Sequence, residues 1–270
     1  MRTYIVDSFT SEPFKGNPAG VCIVGDDSLS EAKMLSIAKE INLSETAFVT
    51  VARGDDCYGI RYFSPKKEIQ LCGHATLAAA KVLLSARENG IEKQTIQFST
   101  CRHIVLGVKR NGDNLQMTFP AYGLSKATAP DNLIAALGVS DILAVLYNQE
   151  TNILMIEIES AVQLKALVPD FEALVRSHDK INGVLVTARG LDGFDFYSRY
   201  FWPWSGTNED PVTGATHTFM APYWAKTLGK NTLKSFQCSE RTGCMTLDVL
   251  DDKLSIQGQA VIVLEGKLNV

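Results

Sequence analysis

The sequence predicts an α+β protein of two pseudo-symmetric domains, each a mostly antiparallel sheet or barrel wrapped around a central helix. Three observations carry this. First, residues 75–84 read Ala-Thr-Leu-Ala-Ala-Ala-Lys-Val-Leu-Leu, apolar on nearly every side apart from Thr76 and Lys81. A helix apolar all round must be enclosed, and this one is too short to span a bilayer. Second, the chain repeats. Arg61-Tyr62-Phe63-x-Pro65 recurs 138 residues later as Arg199-Tyr200-Phe201-x-Pro203, and Gly73 matches Gly214 at 141. Upstream, Val49-Thr50 and Arg53-Gly54 match Val186-Thr187 and Arg189-Gly190 at 137 and 136, all close to half of the 270 residues. Third, short strand patterns outnumber helical ones. The halves are placed at 1–118 and 119–270, with the last strand free to return to the first half.

In chain order, Tyr4–Phe9 reads as a strand, Gly16-Asn17-Pro18-Ala19-Gly20 as a rigid loop and Val21–Val24 as a strand. Ser28-x-x-Glu31 resembles a capping box opening the helix Glu31–Ile41. The polar Asn42–Thr46 leads into the strand Ala47–Val51, and Gly59–Phe63 precedes the first central helix. Strands are expected at 95–100, 103–109 and 115–119, the last two joined by a turn at Asn111-Gly112-Asp113. Residues 120–131 read as a linker. The second half gives helices near 131–137 and 170–178 and strands at 144–147, 153–158, 183–187 and 195–201. A second central helix is expected near 214–228, kinked at Pro222, then strands at 244–250, 253–257 and 260–264.

Composition excludes several classes. Net charge is −4 and no Lys/Arg run exceeds two residues, which argues against nucleic acid or an anionic membrane as partner. No leader-like stretch precedes Tyr4 and no apolar run approaches about 18 residues, so the expectation is a soluble cytoplasmic protein. Six cysteines without a CxxC and four histidines show neither a disulfide framework nor zinc spacing, so no metal is expected.

The chemistry-bearing residues gather at the two helix starts. Cys72, Gly73 and His74 precede or open the first helix, where unpaired N–H groups and the dipole favour a carboxylate. Gly73 lets a ligand approach the backbone. Glu45 stands in Ser44-Glu45-Thr46 against the apolar Ala47-Phe48-Val49; there desolvation is expected to raise its pKa toward the range of a general acid or base. The plainer reading is a solvated loop glutamate. Asn182, its counterpart in the repeat, cannot carry a proton. Cys72 is either an activated thiol or a small buried filler, and its counterpart Thr213 argues against two-thiol chemistry. His74 suits proton transfer or a substrate carboxylate, or is held by the backbone. His217 reads as structural. Asp210, before Pro211, accepts from a ligand or merely caps a loop. The starts at Gly73 and Gly214 are expected to face one cleft and to bind an anion there.

The motifs Asn17-Pro18-Ala19-Gly20, Leu43-Ser44-Glu45-Thr46-Ala47-Phe48, Leu71-Cys72-Gly73-His74-Ala75-Thr76, Glu209-Asp210-Pro211-Val212-Thr213-Gly214 and Ala221-Pro222-Tyr223-Trp224 together resemble the phenazine-biosynthesis isomerase family, PhzF-like proteins with the diaminopimelate epimerase fold. The resemblance runs over essentially the whole chain. It implies a homodimer without metal or organic cofactor, a small carboxylate-bearing substrate held between the domains, and a proton-shift isomerisation in which Glu45 moves the proton. It also implies that His74, Gly73, Asp210 and Gly214 line the site, with Cys72, Thr213 and Ala215 beside them. The family commonly has serine where this chain has Ala215, leaving Thr213 and Thr216 as nearby hydroxyl donors. Two other readings compete: an amino-acid-type racemase or epimerase using Cys72, and a non-catalytic binding or regulatory protein of the same fold. A thiol hydrolase using Cys72 and His74 is weaker, since adjacency in sequence does not set a base against a nucleophile.

Overall fold

The computed structural model describes residues 1–25, 29–50, 57–85 and 93–270. The chain divides into two compact units. One comprises Met1–Thr118 with Gln257–Val270, the other Phe119–Ile256.

The first unit opens with β1 (Arg2–Ser8) and β2 (Asn17–Val24), followed by α1 (Glu31–Ile41), β3 (Glu45–Thr50), β4 (Cys57–Phe63), β5 (Glu68–Ile69), α2 (Gly73–Ser85), β6 (Thr95–Thr100), β7 (Val105–Asn111) and β8 (Asn114–Pro120). β1 pairs antiparallel with β2, β2 parallel with β3, β3 antiparallel with β4, and β4 parallel with β6. α2 packs against β1, β2, β3, β6 and β7, and Leu77, Ala78, Ala79 and Ala80 are fully buried. On the other face α1 places Met34, Ile37 and Ala38 against Cys22, Val24, Phe48 and Phe63. Both faces are thus covered, which is why β2 and β3 carry near-continuous apolar runs rather than alternation.

The second unit repeats the plan: β9 (Ser125–Lys126), α3 (Asp131–Leu137), β10 (Ile142–Asn148), β11 (Ile153–Ile158), α4 (Ala161–Ala166), α5 (Phe171–Ser177), β12 (Gly183–Arg189), β13 (Phe196–Trp202), β14 (Thr207–Asp210), α6 (His217–Leu228), β15 (Thr232–Gln237), β16 (Gly243–Leu250) and β17 (Lys253–Gly258). β10, β11, β12, β13 and β15 pair with the same sequence of senses as β1, β2, β3, β4 and β6: antiparallel, parallel, antiparallel, parallel. β18 (Ala260–Lys267) then pairs antiparallel with β1, so β1 lies between β2 and β18. Among the described residues no helix is long and apolar enough to cross a membrane.

The repeated Arg-Tyr-Phe has a physical content. Arg61 makes a two-pronged ion pair with Glu68 (Nε–Oε1 2.7 Å, Nη2–Oε2 2.8 Å) and lies 5.2 Å from the Phe63 ring centre. Arg199 does the same with Glu209 (2.8 and 2.7 Å) and Phe201 (4.9 Å). In each unit an acid on a short antiparallel strand faces the Phe, Glu68 opposite Phe63 and Glu209 opposite Phe201.

Several expectations change. The Ser28 cap and the Arg53-Gly54 part of the repeat lie outside the described residues, as does Val51. The N-cap of α1 is Ser30, whose side chain accepts from Lys33 N at 3.3 Å. Asn17–Gly20 is strand rather than loop; Pro18 falls one residue before the ladder to β3 starts at Ala19, near the strand end where a missing N–H costs least. Glu45 opens β3 instead of preceding it. β7 begins later than expected because Thr100 Oγ1 accepts from Arg102 N and Ile104 N, making a turn through Ile104. α4, β5, β9, β14 and the six-residue β15 are additions to the expected elements; β5, β9 and β14 have only two to four residues each, too few to show a period. Pro222 does lie within α6. Its missing N–H releases the carbonyl of Thr218, which accepts from Tyr122 N at 2.8 Å and so stays satisfied. α6 starts at His217, not Gly214; residues 214–216 form a tighter turn closed by His217 N to Gly214 O at 3.1 Å.

Candidate active site

In the first unit Glu45, Cys72 and His74 come together. Glu45 is fixed at the start of β3 by the parallel ladder through Ala19. Cys72 and His74 flank Gly73, the first residue of α2. Their backbone is clamped: Ser8 Oγ donates to His74 O at 2.8 Å, and Thr76 Oγ1 donates to Cys72 O at 2.6 Å while meeting Tyr62 Oη at 2.5 Å. The three residues are 7–8% exposed. His74 Nε2 lies 3.2 Å from Glu45 Oε2. On the other side of the ring, Nδ1 lies 3.4 Å from Cys72 Sγ and 3.4 Å from Asn17 Nδ2.

Asn17 owes its place to the turn before it. Gly16 has φ +66°, and a Cβ there would stand 2.2 Å from Ser8 O, so only glycine fits. In the sequence Asn17 reads only as part of a loop motif. Its contact with the imidazole depends on β2 running beside the start of α2, which no local pattern reveals.

The electrostatics correct one expectation. Burial raises the pKa of Glu45, as predicted, but the hydrogen bond and charge of His74 outweigh it, and the carboxyl titrates below its ordinary 4.5. Burial pulls His74 down, while the hydrogen bond to Cys72 and the hydrogen bond and charge of the Glu45 carboxylate push it up further; the imidazole holds its proton well above 6.5. Cys72 is pushed up by burial, against the influence of His74, so it is a thiol rather than a thiolate at neutral pH. The cluster therefore offers an ionised carboxylate against an imidazolium, with a neutral thiol alongside.

The second unit brings Asp210, Thr213, Gly214 and Ala215 together. Thr213 Oγ1 donates to Asp210 Oδ2. Gln237, which no sequence motif singles out, braces both ends: its Nε2 donates to Asp210 O at 2.7 Å and its Oε1 accepts from Thr213 N at 2.9 Å. Thr213 and Thr216 do not serve as spare donors in place of a serine at Ala215. Thr213 turns its hydroxyl to Asp210, and the fully buried Thr216 turns its own to Thr213 O at 2.9 Å. His217 is structural: Nδ1 donates to Thr213 O at 2.8 Å and Nε2 faces Ser235 Oγ at 2.9 Å. Burial lowers its pKa to about 4, so it is neutral. Asn182, the counterpart of Glu45, sends its side chain to Thr151 O at 2.7 Å.

Known proteins share this chain's whole length. The family model described as phenazine biosynthesis-like protein (PhzC–PhzF) matches residues 6–266. An uncharacterized isomerase of Pseudomonas aeruginosa is 42% identical over 270 residues, 100% of this chain and 99% of its own. The crystal structure of a PhzF-family phenazine biosynthesis protein from Enterococcus faecalis superposes with a TM-score of 0.91 at 37% identity, covering 100% of this chain and 99% of that one. A predicted epimerase from Pseudomonas aeruginosa superposes at 0.72 with 20% identity over 100% and 99% of the two chains. That last likeness shows the fold alone, and the fold is the expected epimerase type.

Proposed function

The chain belongs to the phenazine biosynthesis-like protein family, and from that premise we propose that it is an isomerase that moves a proton on a small carboxylate-bearing substrate, with Glu45 as general acid and base. The observation that carries the reading is the buried Glu45–His74 pair at 3.2 Å. An ionised carboxylate can take a proton from carbon without first losing its own. His74 keeps it ionised between turnovers and, being protonated, stabilises negative charge as it develops on the substrate. The first N–H groups of α2, with Gly73 among them, receive the substrate carboxylate. Asp210 is read as an acceptor toward a ligand amine or hydroxyl. Proton transfer of this kind requires neither a metal nor an organic cofactor.

Deuterium wash-in tests the reading. Incubated in D2O with a panel of cyclic and amino-acid-type carboxylic acids, the protein should label at least one at carbon. No labelling of any compound, with ligand binding intact, would favour a binding protein instead. One observation supports the racemase alternative, the 3.4 Å approach of Cys72 Sγ to His74; the raised thiol pKa and the counterpart Thr213 count against it. The same reading carries a cytoplasmic homodimer, tested by a solution mass of twice 29.6 kDa.

A further inference from the structure

We propose that Glu45, Cys72 and His74 form a binding site for a thiophilic divalent cation of the zinc class, and that its occupation switches off proton transfer. The second clause rests on the isomerase reading; the first stands without it.

The three residues offer one oxygen, one sulfur and one nitrogen, all buried and all within 4.8 Å of one another. This mixed set suits zinc, whereas magnesium and calcium take oxygen donors. Zinc bonds of about 2.0–2.3 Å put tetrahedral ligands about 3.3–3.6 Å apart. Here Nε2 stands 3.2 Å from the Glu45 oxygen and 3.9 Å from the Cys72 sulfur, which lies nearer Nδ1 at 3.4 Å, so closure on an ion requires the Cys72 side chain to swing from the Nδ1 edge of the ring toward Glu45 by more than about 1 Å. The donors sit on clamped backbone, at the first residue of β3 and on either side of Gly73. A divalent ion held by one carboxylate, one thiolate and one neutral imidazole leaves no net charge in this buried place. Coordination through Nε2 leaves the ring proton on Nδ1, where the Asn17 amide, whose Nδ2 lies 3.4 Å away, presents its oxygen after a flip about its last torsion. Such an outer partner is usual for a zinc-bound histidine.

Three protein ligands leave a fourth position open, yet an ion here does not assist the isomerase. It engages the Glu45 oxygen that must accept the substrate's proton and displaces the His74 proton that supports it. On binding, Cys72 gives up its thiol proton and His74 its Nε2 proton to solvent, while Glu45 binds as it stands.

The experiment uses the full chain in a Cys101→Ser/Cys244→Ser background, since both of these thiols are exposed. After chelator treatment, cobalt(II) is titrated in and the thiolate-to-cobalt charge-transfer absorption is followed. The expected result is saturation at one equivalent, displacement by one equivalent of zinc, and at least tenfold weaker binding in Cys72→Ser, His74→Asn and Glu45→Gln. Absence of a saturating band, or a band unchanged in Cys72→Ser, overturns the site. Should a variant fail to fold, alkylation mapping of the background protein decides. Zinc that protects Cys72 supports the site, and full alkylation of Cys72 in its presence overturns it. Zinc at one equivalent should abolish deuterium wash-in; full exchange with zinc bound overturns the switch. If the protein labels no substrate at all, the isomerase reading fails while the cobalt titration still decides the cation site.

Discussion

His74 Nε2 stands 3.2 Å from Glu45 Oε2, with both side chains only 9% exposed. Two buried charges are costly apart and tolerable together, so each residue sets the protonation of the other. The pair joins the start of β3 to the start of α2, the most enclosed helix of its unit.

Glu45→Gln keeps the size of the side chain and removes its titratable group. Proton transfer by a placed side chain contributes about 10²–10⁴-fold, so exchange should fall by at least about two orders of magnitude with little change in ligand binding. Cys72→Ser should cost far less. Rates of deuterium wash-in, ligand titration and thermal melting check the three parts. Wild-type turnover in Glu45→Gln would remove Glu45 as the base, and loss of turnover in Cys72→Ser alone would favour the racemase.

His74→Asn should change the pH profile of exchange. In the wild type His74 holds the Glu45 carboxyl below 4.5 against the opposing effect of burial. With the histidine gone, burial is left largely unopposed and the pKa rises. The acid limb, below pH 4.5 in the wild type, should move above it. An unmoved limb would mean that His74 does not control the carboxylate.

His217 gives a pH dependence of stability with the opposite origin. Its folded pKa is lowered from 6.5 to about 4 by burial. Between these values the unfolded chain binds a proton that the folded chain refuses, so stability falls as pH drops from 6.5 toward 4. The shift corresponds to a loss on the order of 3 kcal/mol. His217→Asn retains an N–H for Thr213 O but no titration, so it should be less stable at pH 7 and should lack this slope. Urea unfolding at several pH values measures both.

The two arginine pairs should differ in worth. The Arg199 and Glu209 side chains are 10% and 16% exposed, and Arg199 Nη1 also donates to Leu167 O at 2.6 Å, at the end of α4. Arg199→Ala strands a half-buried carboxylate and a helix-end carbonyl and should cost about 3 kcal/mol. Arg61 and Glu68 are 29% and 22% exposed, and Arg61→Ala should cost about 1 kcal/mol. Equal losses in denaturant titrations would show that burial does not separate them.

The legible features are those written locally. The all-round apolar run is α2, and each Arg-Tyr-Phe lies toward the end of a strand. Gly138, read as the end of a helix, caps α3 with φ +69°. The features that escape the sequence depend on neighbours distant along the chain. The proton affinity of Glu45 cannot be signed from Ser44-Glu45-Thr46, because the deciding partner sits on α2. Gln237 is an ordinary strand residue until β15 brings it under the loop of Asp210 and Thr213. The late start of α6 reflects residues 214–216 closing a tighter turn, a difference of one hydrogen-bond register that composition does not encode.

The pairing of β1 with β18 bears on how the chain is made. The second unit is one continuous segment, Phe119–Ile256, whereas the first needs Gln257–Val270 as well. During synthesis from the N-terminus, the half that emerges first is therefore the half completed last. This reverses the usual order, in which an N-terminal domain folds ahead of its successor. Until Ala260–Lys267 leave the ribosome, β1 presents an open edge, and the nascent first half lacks the strand that covers it. A message cut short just after the codon for Ile256 would yield a complete second unit attached to an unfinished first one.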